Sequence, residues 1–291
     1  METKPTSPRG RLTTRRAFTA GAAALFSTSL RGAAQSRLQI GTMDTVLNLS
    51  SNPDAVGAAK QLGLAALQVT LGRSKDGQSL PLEDRTLQKA YVASSEKHGI
   101  PIDSTYIDML HVSCLKNDPR AGSWVQKGIE ITKNLKAPIL MTVFFGKCSV
   151  LNRSELDYVI GAFRDLVPAA ERAGIILGFE NTISGEDNRY AVDRIASNAF
   201  KIWYDVGNST FNGFDVPKEI RMLGRERICQ FHFKDKGYLG EGKVNFPEIL
   251  AAIRDIGFEG YANLETTSPS GSVEADTKRN LAYLQGLMSQ S

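Results

Sequence analysis

The chain has 291 residues, of which 42% are hydrophobic and 23% are charged, which is an ordinary globular composition and long enough for one large α/β domain. The formal net charge is +4, but residues 1–34 contain six basic residues and one acidic residue and therefore carry +5 by themselves. Residues 35–291 are left with −1, which excludes an overall basic excess that would attract nucleic acid.

The first predicted element is an export signal that occupies residues 1–34. The stretch TRRAF around Arg15 and Arg16 resembles a twin-arginine motif, and small and apolar residues follow up to Leu30. The residues Gly32-Ala33-Ala34 then offer a site of the type cut by signal peptidases. A spanning helix needs about 20 apolar residues, more than this stretch provides, so we expect no stable membrane insertion. The pattern predicts an exported protein, periplasmic or extracellular, while a disordered basic tail or a short anchor is the alternative.

Strand and helix patterns then alternate through residues 35–291 without a linker or a second domain. The predicted strands are 38–44, 64–71, 101–107, 138–145, 175–181, 200–206, 228–234 and 260–266. The predicted helices are 53–62, 83–98, 120–136, 153–173, 189–198, 215–225, 246–256 and 273–288. Eight such units in about 250 residues are typical of a (β/α)₈ TIM barrel. A doubly wound sheet, the alternative, would more often carry a glycine-rich fingerprint after its first strand, and IGTMDTVLN has none.

Local signals place several helix ends. Asn52 and Pro53 provide a cap and a first-turn proline, and Ser154 precedes an acidic first turn. Three glycines stand just past predicted helix ends, as is common for left-handed C-terminal caps: Gly99, Gly174 and Gly257.

Four polar residues end four consecutive predicted strands. They are Glu180, Asp205, His232 and Glu265, in the runs IILGFE, FKIWYD, ICQFHF and YANLE. In a barrel the carboxyl ends of the strands form the active site, and residues two apart share a face, which places Lys234 beside His232. A buried charge costs several kcal/mol unless it is paired or binds a metal. Three acids and one imidazole suit one divalent ion such as Mn, Mg, Co or Zn.

The chain resembles the xylose isomerase-like TIM barrels over residues 38–288. The motifs that carry the resemblance are GFEN at 178–181, WYDVGN at 203–208, FHFKD at 231–235, GEG at 240–242 and NLET at 263–266. The resemblance implies that Glu180, Asp205, His232 and Glu265 bind one divalent ion, with Mn favoured. It also implies that Glu180 and Glu265 face opposite sides of a carbohydrate substrate and move its proton. A homo-oligomer is a further possible feature.

These residues lead to a predicted function with two alternatives. The prediction is a metal-dependent isomerase or epimerase of an unphosphorylated sugar or keto-sugar, acting through an enolate-type intermediate, with Glu180, Glu265 and Lys234 as catalytic residues. The predicted substrate-binding residues are Glu186, Asn208 and Asn181. The same enolate could expel a leaving group, so a lyase or dehydratase acting on a keto-sugar, inosose or 3-keto-glycoside is the first alternative. A non-catalytic sugar-binding barrel is the second.

Some residues give weaker indications. Aromatic residues that could form a sugar-stacking wall are Trp203, Trp124, Tyr106 and Phe145, although core packing is the commoner role of such residues. Arg73 and His111 lie in predicted mouth loops and could reach substrate. The three histidines of the chain are too few for the three-zinc endonuclease IV relatives of the family.

The cysteines predict no disulfide framework. Cys114, Cys148 and Cys229 are odd in number and contain no C-x-x-C pair. We expect Cys229, in a predicted strand, to be a small buried hydrophobic residue.

Overall fold

The computed structural model describes residues 38–290 together with residue 1. Eight parallel strands form a closed barrel in chain order, with the last strand pairing back to the first. The predicted (β/α)₈ TIM barrel is therefore confirmed. The predicted signal segment of residues 1–34 lies outside the described residues, apart from residue 1, and stays a prediction.

The strands coincide with the predicted ones but are shorter at one or both ends. They are β1 Leu38–Met43, β2 Leu67–Thr70, β3 Ile102–Tyr106, β4 Ile139–Val143, β5 Ile176–Glu180, β6 Phe200–Asp205, β7 Ile228–Phe233 and β8 Gly260–Leu264. Hydrophobicity continues from a strand into its flanking loops, which explains why the apolar runs overestimate strand length.

Within residues 38–290, nine α-helices surround the barrel. They are α1 Asp54–Gln61, α2 Arg85–His98, α3 Ala121–Asn134, α4 Arg153–Ala173, α5 Gly185–Ile195, α6 Val206–Phe211, α7 Val216–Arg227, α8 Phe246–Asp255 and α9 Val273–Ser289. Eight match predicted helices, and α6 was not predicted. Short 3₁₀ helices lie at Pro81–Glu83, Asp108–His111 and Gly146–Cys148.

Side-chain capping explains where several helices begin. The Asn152 side chain accepts a 2.9 Å hydrogen bond from the Glu155 amide, so Asn152, and not Ser154, caps α4. Ser184 accepts from the Asp187 amide and starts α5 four residues before the predicted boundary. Gly99 and Gly174 end α2 and α4 in the left-handed conformation, as predicted.

Alternation along each strand separates the outer core from the barrel interior. On β5, Phe179 points outward and packs against Phe144, Phe163 and Phe200 at ring centroid distances of 4.8–5.7 Å. Each fully buried aromatic side chain of this kind contributes about 1.5–3 kcal/mol by removal from water. Its neighbour Glu180 points inward as a consequence, so hydrophobic packing outside the barrel fixes the direction of the polar side chains inside it.

The expectation that the cysteines form no disulfide is wrong. Cys114 and Cys148 are joined by a disulfide across 34 residues, while Cys229 is free. Cys114 follows β3 and Cys148 follows β4, and these strands are neighbours in the barrel. Two distant cysteines therefore meet because the topology brings their loops together, and neither their count nor their spacing shows this.

No helix within residues 38–290 is long and apolar enough to cross a membrane.

Candidate metal centre and active site

Strand register brings the four predicted metal ligands together at one end of the barrel. Asp205 on β6 is directly opposite His232 on β7, and His232 is opposite Asn263, two residues before Glu265. Glu180 ends β5, and Glu265 directly follows β8, where its amide donates to the Phe233 carbonyl. The four side chains thus come from adjacent strands on one arc of the barrel mouth.

The donor atoms of these four residues converge on one point. One atom from each of Glu180, Asp205, His232 and Glu265 lies within 4.8 Å of all the others. The Nδ1 atom of His232 is 2.7 Å from Glu180 Oε1 and 3.1 Å from Glu265 Oε2. Glu180, Asp205 and His232 are buried, whereas the Glu265 side chain is 35% exposed and faces the mouth.

Lys234 is the fifth charged member of the cluster. Its Nζ atom is 2.7 Å from Asp205 Oδ2 and 2.9 Å from Glu265 Oε2. A Cβ atom at position 207 would lie 2.4 Å from Lys234 Cγ, so Gly207 is what allows Lys234 to lie over the start of α6. The neighbouring Asp235 accepts hydrogen bonds from the backbone amides of Lys236, Gly242 and Lys243.

Opposite charges hold the cluster together. Burial disfavours the charged imidazole of His232, but Glu180 and Glu265 outweigh it and raise the pKa of His232 to about 10. Burial also disfavours the charged ammonium of Lys234, but Asp205 and Glu265 outweigh it and raise the pKa of Lys234 above its ordinary value. Burial raises the pKa of Asp205, against the attraction of Lys234. Partial burial disfavours the charged form of Glu265, but His232 and Lys234 outweigh it and lower the pKa of this carboxyl.

Three carboxylates and one imidazole with converging donor atoms fit a divalent cation. Glu180, Asp205, Glu265 and Nδ1 of His232 would hold it. Oxygen donors with one imidazole suit Mn²⁺, Mg²⁺, Co²⁺ or Zn²⁺. Uptake of a cation here would replace the Nδ1 proton that His232 shares with two glutamates, so the same geometry accommodates a metal ion or a proton.

A layer of buried polar side chains lies inside the barrel on β2, β3 and β7. Gln68 Oε1 is 2.9 Å from Nε2 of His232, and the side-chain amide of Gln230 donates to Asp103 Oδ2 at 2.7 Å. All four residues are at most 2% exposed. Burial raises the pKa of Asp103 to about 6. Sequence reasoning missed Gln68 and Asp103, although a polar residue at an inward position of an otherwise apolar strand was a usable signal.

A cavity of about 260 Å³ opens above the cluster. One side is charged or polar and contains Glu180, Asn208, His232, Lys234 and Glu265. The other side is mostly apolar or aromatic and contains Met43, Tyr106, His111, Met141, Val143 and Phe145. A ligand in this cavity would therefore meet the donor atoms at one end and a largely carbon surface at the other.

The aromatic side of the cavity is held by a chain of hydrogen bonds. The Tyr106 hydroxyl donates to Asp108 Oδ1 at 2.9 Å, and His111 Nε2 lies 2.8 Å from the same hydroxyl. Arg73 pairs with Asp108 at 3.3 Å. His111 thus lines the cavity, whereas Arg73 is not a lining residue and contacts Asp108.

The predicted substrate-binding residues have different locations. Asn208 lines the cavity, and its backbone amide donates to Asp205 Oδ1 at 2.8 Å. The side chain of Asn181 is directed into its own loop, where it donates to Asn188 Oδ1 and accepts from the Ile183 amide. Glu186 is exposed in the first turn of α5 and does not line the cavity.

Only some of the aromatic residues considered for a sugar-stacking wall lie at the cavity. Tyr106 and Phe145 line the cavity. Trp203 lies below it, with its ring edge-on to His232 at a centroid distance of 4.9 Å. Trp124 lies on α3, where Lys127 covers its ring.

Fold and site together define a class of protein, a TIM barrel with a candidate metal centre at the carboxyl ends of its strands. Residues 56–287 match the Xylose isomerase-like TIM barrel family, and the chain belongs to that family.

Comparison with curated proteins finds distant relatives. An uncharacterised protein of Methanocaldococcus jannaschii is 26% identical over 136 residues, which are 41% of this chain and 46% of that protein. The chain thus matches about half of the length of this relative. A 2-epi-5-epi-valiolone 7-phosphate 2-epimerase of Actinoplanes sp. is 24% identical over 215 residues, covering 70% of this chain and 78% of the epimerase.

Among solved structures, a D-allulose 3-epimerase from Methylomonas sp. superposes with a TM-score of 0.70. The two are 15% identical, and the match covers 87% of this chain and 98% of the epimerase. At this identity the likeness concerns the fold.

Proposed function

We propose that this protein is a divalent-metal-dependent isomerase or epimerase of an unphosphorylated sugar or keto-sugar. The observation that carries the proposal is the convergence of Glu180, Asp205, His232 and Glu265 within 4.8 Å at the floor of a small cavity, with Lys234 between two of them. The epimerases among its relatives agree with this reaction type. Mn²⁺ is the favoured ion.

The chemistry follows from the arrangement of the side chains. A bound divalent ion would polarise a substrate carbonyl and an adjacent hydroxyl, and so acidify the carbon between them. Glu180, almost fully enclosed, removes the proton from one side of that carbon, and Glu265, open to the mouth, takes up a proton from solvent and delivers it from the other side. Lys234 supports negative charge that develops on substrate oxygen because its ammonium group lines the same cavity.

The cavity favours a small neutral substrate. Lys234 is the only lysine or arginine among the lining residues within the described part of the chain, and it is already paired with two carboxylates. A phosphate group would therefore meet no uncommitted lysine or arginine there. The volume of about 260 Å³ lies below the roughly 300–1,000 Å³ typical of drug-sized ligands. A monosaccharide suits it better than a glycoside.

The test is hydrogen exchange between substrate and solvent. Candidate ketoses and keto-sugars are incubated with the Mn²⁺-loaded protein in D₂O and followed by NMR. We expect deuterium at the carbon beside the carbonyl together with an epimer or isomer. An unsaturated product would assign the site to a lyase, and metal binding without exchange across a broad panel would assign it to a sugar-binding barrel.

Matched glutamate variants control that experiment. Glu180→Gln should lower exchange at least about 10²-fold, the low end of what a general base contributes. Glu259→Gln changes an exposed glutamate next to β8 at the opposite end of the barrel and should exchange like the wild type. Equal rates for the Glu180 variant and the wild type would contradict the assignment of the base.

We further propose that the enzyme acts outside the cytoplasm, in the periplasm or extracellular space. The TRRAF stretch supports this, and so does the Cys114–Cys148 disulfide, because disulfides persist mainly in oxidising compartments. Replacing Arg15 and Arg16 by lysine should retain the protein in the cytoplasm, as judged by cell fractionation. Unchanged export of this variant would exclude the twin-arginine route.

A further inference from the structure

We propose that Gln68 is a positioning residue that determines which nitrogen of His232 faces the metal ion. This inference rests on the proposed metal centre. The four candidate ligands come from β5 to β8, and none of them lies on β2. The inference therefore gives β2 a part in the metal centre through Gln68.

The contact crosses the interior of the barrel. Gln68 lies on β2 and His232 on β7, and both side chains are fully buried. Gln68 Oε1 is 2.9 Å from His232 Nε2, while Nδ1, on the other side of the ring, faces Glu180 and Glu265. Trp203 packs edge-on against the same ring and limits its rotation. The imidazole therefore has one nitrogen for the amide and the other for the cation.

The surroundings of Gln68 determine the orientation of its amide. Its Nε2 group donates to the sulfur of Met141 at 3.5 Å. Sulfur is a weak acceptor and not a donor, so a flipped amide would place its carbonyl oxygen against another acceptor. The carbonyl oxygen therefore faces His232, and only a protonated Nε2 can donate to it. With the proton held on Nε2, the lone pair available to a cation is on Nδ1.

The experiment measures metal affinity in three variants by calorimetric titration with Mn²⁺. Gln68→Met keeps the approximate size of the side chain and removes the acceptor, and it should weaken binding about 10–100-fold. Gln68→Glu retains an oxygen acceptor and should bind within about threefold of the wild type or more tightly. Gln230→Met is the matched control, since it removes another buried glutamine of the barrel whose side-chain amide donates to Asp103 and not to His232.

A second readout reports the ring nitrogens directly. The chain has three histidines, so the ¹⁵N spectrum of its imidazoles is simple, and His98 and His111 can be identified by substitution. In wild-type protein loaded with diamagnetic Zn²⁺, we expect His232 to be protonated at Nε2 and metal-bound at Nδ1. A ring bound to the metal ion through Nε2 would contradict the inference even if Gln68→Met does not fold.

Three results would overturn the inference. They are affinity of Gln68→Met within twofold of the wild type, an equal loss in Gln230→Met, and a His232 ring bound through Nε2. Failure of the wild type to bind any divalent ion is a different result, since it would overturn the proposed metal centre itself.

Discussion

Lys234 is the residue that distinguishes this site from a plain metal-binding cluster. Its ammonium group lies 2.7 Å from Asp205 and 2.9 Å from Glu265, both of which also belong to the candidate metal centre. The lysine and a bound cation therefore repel each other and share the same carboxylates.

We expect Lys234→Met to bind Mn²⁺ at least as tightly as the wild type while solvent exchange of the substrate falls by about 10²-fold or more. Calorimetry and NMR measure the two effects separately. A parallel loss of affinity and exchange would show that Lys234 only maintains the structure of the site. Lys201→Met, which changes a half-buried lysine of β6 outside the cavity lining, is the matched control.

Asp44 offers a test of the electrostatics at the end of β1. Burial raises its pKa to about 8, although the Thr70 amide donates to it at 3.1 Å. The folded state therefore holds a proton that the unfolded state releases near its ordinary value of 3.8. The stability that this proton contributes is complete below that value and is lost as the pH rises towards about 8.

The measurement is the free energy of unfolding in urea between pH 4 and pH 8, for the wild type and Asp44→Asn. As the pH rises, the free energy of unfolding of the wild type should fall relative to that of Asp44→Asn, by at most about 1.4 kcal/mol per pH unit. A difference independent of pH would contradict a protonated Asp44.

At the scale of single residues, the sequence predicted those whose position follows from strand periodicity. Glu180, Asp205, His232, Glu265 and Lys234 end inward-facing alternations, so their convergence could be foreseen. Gln68 was missed because its role depends on a contact across the barrel, whereas His111 was placed in a mouth loop and does line the cavity. Glu186 and Asn181 were proposed for substrate, but the capped start of α5 exposes the first, and the loop hydrogen bonds engage the second.

At the scale of the elements, a disulfide connects the loop after β3 with the loop after β4. The first carries His111 and the second carries Phe145, and both residues line the cavity. The Cys114–Cys148 disulfide therefore holds together the two loops that form the aromatic side of the site.

Removal of this disulfide should affect substrate more than metal. We expect the Cys114→Ser/Cys148→Ser double variant to lose about 3–4 kcal/mol of stability, from the 34-residue separation of the cysteines. Its KM should rise while kcat and the Mn²⁺ affinity change little, because the metal ligands lie on other strands. Calorimetry and steady-state kinetics measure these quantities, and Cys229→Ser is the control. An intact mass that shows three free thiols in the wild type would contradict the disulfide itself.

Helix boundaries show why element prediction succeeded in part. Left-handed glycines ended α2 and α4 where expected because glycine adopts that conformation with little strain. The helix α6 was missed because its six residues are too few to show a periodic pattern. Asp205 itself caps α6 by accepting from the Asn208 amide, so a candidate metal ligand also begins a helix.

The whole barrel was predictable because every one of its units repeats the same local pattern. Apolar strands alternate with amphipathic helices, eight such units are typical of a TIM barrel, and the strands do close into one. Export and homo-oligomerisation are properties of the whole molecule that stay predictions, and fractionation and light scattering of the purified protein test them.

The central claim is that one divalent ion binds at Glu180, Asp205, His232 and Glu265. Equilibrium titration with Mn²⁺, followed by the electron paramagnetic resonance signal of the free ion, tests it most directly. We expect one site per chain in the wild type and at least a hundredfold loss of affinity in Asp205→Asn, with Glu259→Gln unchanged. Absence of binding by the wild type, or an unaltered site in Asp205→Asn, would contradict the claim.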